Sequence, residues 1–95
     1  MKIAGWEVPQ ALIDAVAKQL RAEPFDAGIV RLIAASTDML PRYGDPAAAY
    51  VREEIGTRLI DYFRRSGNIA KVPGTRRWRW VQDSTVDAAR DGGGS

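Results

Sequence analysis

Apolar residues fall on the chain in two different rhythms, and the change between them divides it. Leu12, Ile13, Val16 and Leu20 recur every three or four positions while Asp14, Lys18 and Arg21 take the other faces, which predicts a first helix over about 9–22 with Pro9 in its first turn. Ile29, Val30, Leu32 and Ile33 form a second stripe and predict a helix over about 25–36. Asp26 is placed to cap its free amides, and Phe25 to pack on Val30. The segment from Ser36 to Pro46 breaks helical continuity with Pro41, Gly44 and Pro46, and Asp45-Pro46 restarts a helix. Val51, Ile55, Leu59, Tyr62 and Phe63 then carry it through about 46–66, where Gly67 offers a left-handed stop.

After Gly67 the period becomes two. NIAKV and RRWRWV flank Val72-Pro73-Gly74-Thr75, in which proline presets one turn position and glycine accepts a positive φ at the next, so a β-hairpin is predicted over about 68–81. Ile3 to Val8 reads as one short extended segment before Pro9. The expectation is a mainly α, α+β domain spanning 1–81: three helices followed by a two-stranded hairpin. Residues 82–95 hold few large apolar side chains and are expected to form a flexible tail, whose closing GGGS reads as an appended linker.

Alternation sorts the hairpin's side chains. Trp78 and Trp80 share one face of their strand while Arg77, Arg79 and Val81 share the other. The tryptophans could stack on unpaired bases. In so small a domain the better reading is that they pack on the core, with Ile69 meeting Trp78 across the strands. Arg77 and Arg79 are thereby turned outward. If the loop closes symmetrically, Lys71 and Arg76 face each other, and an anion between them would relieve their repulsion. The plainer alternative is a solvated hairpin whose charges deter edge-to-edge aggregation.

Charge adds weight to the anion-binding reading. The 95 residues carry a net charge of only +2, but its distribution is uneven. Val51 to Trp80 holds eight basic residues against three acids, whereas Met1 to Tyr50 holds five against six. Neither cysteine nor histidine occurs, which removes disulfides, the usual zinc ligand sets and His-assisted nucleophiles. No metal or cofactor is therefore expected. Glu53 and Glu54 are neighbours pointing to different helix faces, so they make no catalytic carboxylate pair, and the chain is not expected to be an enzyme. The start MKIAGWEVPQ lacks the apolar core of a signal peptide, and no apolar run reaches the length of a bilayer. A chain starting at Met1 and staying in the cytoplasm is expected.

The order of two helices, a longer helix ending at glycine and a basic hairpin resembles a winged helix-turn-helix domain. The segment TRLIDYFRRSGNIAKVPGTRRWRWV, Thr57 to Val81, is similar to the end of the recognition helix and the wing in bacterial and phage DNA-binding proteins of that superfamily. The resemblance implies a regulatory or mobile-element protein that binds double-stranded DNA, with the third helix in the major groove and the wing on phosphates or the minor groove. It implies Arg52, Thr57 and Arg58 as base-reading candidates and Lys71, Arg76, Arg77 and Arg79 as wing contacts. Arg64 and Arg65 are assigned to the dipole at the helix C-terminus. Two features depart from the pattern: the long connection from Thr37 to Asp45, and Glu53 and Glu54 near the start of the reading helix. The alternative is a protein-interaction or assembly module that uses its first helix or its hairpin edge to meet a protein partner or, as a homodimer, a second copy of itself; the smooth patch of Ala47, Ala48, Ala49 and Tyr50 would suit close helix approach, and good helix formers at a helix start would look the same.

Overall fold

The computed structural model describes residues 1–83. It contains three helices, α1 (Gln10–Leu20), α2 (Ala27–Ser36) and α3 (Ala48–Arg65), with a strand pair on either side of them. Ahead of α1, β1 (Lys2–Ile3) pairs antiparallel with β2 (Trp6–Glu7); after α3, β3 (Ile69–Lys71) pairs antiparallel with β4 (Trp78–Trp80). The chain is thus α+β and mainly α. No helix among the described residues is long and apolar enough to cross a membrane.

The helices form where the apolar spacing puts them, with ends displaced by up to two residues from the sequence reading. The Asp26 carboxylate accepts from the Ile29 amide at 2.9 Å and starts α2. Asp45, expected to cap α3, instead accepts through its carboxylate from the Ala47 amide, also at 2.9 Å, in a turn that precedes the helix; α3 starts at Ala48 with Ala47 as its cap residue and no side-chain cap bond. At the far end Gly67, at φ 76°, donates to the Arg64 carbonyl, and Asn68 donates to the Phe63 carbonyl at 2.9 Å. This pair of bonds satisfies the Phe63 and Arg64 carbonyls near the end of α3 and turns the chain into β3.

Every element contributes to a single core. Ile3 and Val8 come from the first hairpin and its exit, Leu12, Val16 and Leu20 from α1, Val30 and Ala34 from α2, and Val51, Ile55, Leu59 and Phe63 from α3. Fully burying a side chain of this kind stabilises the fold by about 1.5–3 kcal/mol. Gly56 lets α2 and α3 approach closely: a Cβ built on it would lie 2.2 Å from the Ala27 carbonyl oxygen.

Three expectations need correction. The opening segment is a hairpin rather than one extended run, reversing at Ala4 and Gly5, both at positive φ, a turn that suits paired strands of two residues. Phe25 does not belong to α2. Its amide donates to the Trp78 carbonyl at 2.8 Å and its carbonyl accepts from the Trp78 amide at 2.7 Å, so it adds a third, one-residue rung to the edge of β4. Finally, Gln82 and Asp83 are tied down rather than part of a loose tail. The Asn68 side chain donates to the Gln82 carbonyl at 3.2 Å, and Asp83 pairs with Arg21 at 2.7 Å. The remaining tail and its GGGS lie outside the described residues.

Candidate nucleic-acid interface

The C-terminal hairpin is built so that its arginines face solvent on a fixed support. Its register pairs Ile69 with Trp80, Ala70 with Arg79, and Lys71 with Trp78. Ile69 and Trp80 fall on the inner face, where Ile69 is buried and Trp80 packs edge-on against Phe63 with ring centroids 5.3 Å apart. The Arg21 guanidinium lies 5.3 Å from the Trp80 ring centre. The tryptophans therefore serve packing. Opposite them Arg79 is exposed, as are Arg76 and Arg77 at the tip.

This register corrects the symmetric closure expected for the loop. Lys71 does not face Arg76, and Ile69 meets Trp80 rather than Trp78. The cause is Thr75. Its hydroxyl donates to the Val72 carbonyl at 2.8 Å and accepts from the Arg77 amide at 3.0 Å, which holds Thr75 and Arg76 within the tip and moves the pairing two residues along the second arm. Lys71 consequently lies on the tryptophan face, with Nζ 4.8 Å from the Trp78 ring centre. The basic residues that the sequence grouped are split by the sheet: Lys71 on one side, Arg79 on the other, Arg76 and Arg77 at the turn.

The predicted reading residues of α3 are not gathered on one face. Arg52 lies one turn before the buried Gly56, on the flank that meets the loop from Pro41 to Tyr43. There its Nε donates to the Pro41 carbonyl at 3.0 Å and its guanidinium lies 4.5 Å from the Tyr43 ring centre. It holds the connection between α2 and α3, and does not stand on the face opposite the buried stripe as the sequence suggested. That outward face carries Tyr50, Glu54, Thr57 and Asp61 at helical spacing. Thr57 is exposed there, and Arg58 stands at its edge with Nε 4.0 Å from Glu54.

Asp61 collects the two arginines at the end of α3. Arg64 reaches it at 2.7 Å and Arg65 at 3.0 Å. The hydrogen bond from Arg64, followed by the nearby charges of Arg65, Arg64 and Arg58, outweighs desolvation and holds the Asp61 carboxyl below its ordinary value. All four arginines of α3 thus have partners inside the chain. By contrast, the side chains of Arg76, Arg77 and Arg79 have no hydrogen-bond or ion-pair partner among the described residues. No acidic residue occurs between Asn68 and Gln82 to neutralise them.

A second surface feature includes Arg52. Leu32, Ala35, Leu40, Tyr43 and Ala49 line a groove of about 400 Å³ between α2, the connecting loop and the start of α3, together with the charged Arg31, Arg52 and Glu53. Leu32 and Tyr43 are 69% and 79% exposed, high for large apolar side chains in one small area. Sequence reasoning placed Leu32 in the buried stripe of α2; the stripe instead centres on Val30 and Ala34.

Two further contributors were missed. Asn68 is a buried polar residue whose backbone carbonyl accepts from the Val81 amide at 2.9 Å while its side chain holds Gln82, fixing the exit of β4. Phe25 anchors the other edge of that strand. A lone polar residue after a glycine stop was a visible signal for the first; nothing local in the sequence marks Phe25 as a strand residue. No family model matches this chain, and neither does a curated protein or a solved structure.

Proposed function

We propose that the domain binds double-stranded DNA in the manner of a winged helix, with the hairpin as its wing. One observation carries the reading: Arg76, Arg77 and Arg79 project without side-chain partners among the described residues, from a hairpin whose second strand, β4, is paired along both edges. The backbone beneath these cations loses little conformational freedom when they meet phosphates, and each contact releases counterions from the duplex. A regulatory role in a bacterial or phage programme accords with such binding. The test is fluorescence anisotropy of a labelled random-sequence duplex at several salt concentrations. Affinity falling log-linearly with salt supports the reading, and no binding at low salt overturns it.

The groove beside α2 favours a second reading, a protein-interaction module without DNA affinity. Its exposed Leu32 and Tyr43 suit an apolar partner surface or a second copy of the chain. Partner binding that is insensitive to salt, together with no DNA affinity, would select it.

A further inference from the structure

We infer that the wing alone carries the affinity, that it holds the phosphate backbone of duplex DNA without regard to sequence, and that α3 does not read bases. This rests on the DNA-binding reading above and specifies how that site is used.

The inference follows from where cations are free and where they are spent. Base reading by α3 needs donors or methyl groups on its outward face and no net repulsion from phosphates lining the groove. That face instead carries Glu54 and Asp61, with Thr57 between them and with Arg58, Arg64 and Arg65 drawn onto the two carboxylates. Apart from Arg52, the charges of the helix cancel, with Glu53, Glu54 and Asp61 against Arg58, Arg64 and Arg65. Arg52 itself is turned into the loop by the Pro41 carbonyl and the Tyr43 ring. A duplex pressed onto α3 would meet Arg58, Arg64 and Arg65 already engaged by Glu54 and Asp61, and no unpaired guanidinium. Pressed onto the hairpin it meets three arginines and, within residues 68–82, no carboxylate. Arginines at a turn tip and on one strand face satisfy phosphates whatever the base sequence, because every nucleotide offers the same oxygens.

Lys71 has a lesser part. It lies on the opposite face from Arg79 and over the Trp78 ring, so a duplex held by the arginine face does not reach it.

The experiment compares four proteins on random duplex DNA across a salt series, with circular dichroism confirming the fold of each. Replacing Arg76, Arg77 and Arg79 together by alanine should weaken binding about tenfold or more and lower the salt slope by about three, near one for each phosphate no longer neutralised. Thr57→Ala with Arg58→Ala should change affinity by less than about threefold, since neither residue touches DNA in this arrangement. Lys18→Glu with Arg42→Glu, exposed positions off the wing, controls for net charge and should weaken binding less than the wing variant. Selection from a randomised duplex pool should return no enriched motif. An enriched motif that relaxes in the Thr57, Arg58 variant overturns the inference while leaving DNA binding intact. A wing variant that binds like the parent overturns it too. Failure of the parent protein to bind at low salt is a different result, because it removes the DNA-binding reading itself.

Discussion

Gly56 of α3 sits against the backbone of Ala27 at the start of α2, so close that a methyl group on Gly56 would fall 2.2 Å from the Ala27 carbonyl oxygen and 3.2 Å from Cβ of Arg31. The contact reverses an ordinary rule. Alanine in place of an interior helical glycine normally stabilises a helix by about 1 kcal/mol. Here the obstacle is backbone, which cannot rotate aside, and Gly56→Ala should destabilise the protein by about 1–3 kcal/mol as the helices are pushed apart. Urea unfolding should show a lower midpoint with an unchanged slope; a raised midpoint would disprove the close packing.

Arg52→Ala separates a structural role from a reading role. Loss of the bond to Pro41 and of the stacking on Tyr43 should cost about 1–2 kcal/mol of stability. If the proposed DNA binding holds, affinity should stay within about twofold of the parent, because the side chain is turned onto Pro41 and Tyr43. A large drop in affinity with unchanged stability would return Arg52 to the reading face.

Phe25→Ala removes a side chain only 1% exposed, beside the backbone pair with Trp78. The cavity should cost about 3–5 kcal/mol in thermal or urea unfolding. Hydrogen exchange at the Trp78 amide should accelerate together with that at Val72, as the rung that steadies the hairpin is lost. Protection kept at Trp78 would show that the hairpin stands without it.

Asp61 supplies a pH-dependent signal. Its carboxyl is held below the ordinary aspartate value, so its pairing contributes stability above that value and loses it as pH falls through the lowered folded-state pKa. Carbon-detected NMR titration of the Asp61 carboxyl should give a midpoint under 3.8, and Arg64→Ala should raise it toward that figure. A midpoint unmoved by the substitution would show that Arg64 is not the main cause.

The helices were legible in the sequence because their signals are local. The recurrence of Val51, Ile55, Leu59 and Phe63 defines α3, and Asp26 and Gly67 mark ends through bonds to residues a few positions away. What could not be read depends on distant or very small features. The first hairpin has strands of two residues, too short for an alternating pattern to register. Gly56 looks like a flaw in a helix until α2 is seen to need the space. Phe25 joins the sheet through its main chain alone. For the candidate site, alternation correctly turned Arg77 and Arg79 outward and the tryptophans inward. The pairing register was set by the Thr75 hydroxyl, and the direction of Arg52 by a loop carbonyl eleven residues upstream. Neither leaves a trace in hydrophobic periodicity.

The rung between Phe25 and Trp78 also bears on the order in which the chain can assemble. It joins residues separated by the whole of α2 and α3, so closing it carries the entropy cost of a long loop before any contact repays it. The β3–β4 pairing and most helix contacts join residues nearer in sequence and do not wait for that rung, which closes onto a residue made early in synthesis. A ribosome that has released α3 but not yet Trp78 therefore holds a chain whose Phe25 has no strand to pair with. Arg79 stands on a strand paired along both edges only when that rung has closed.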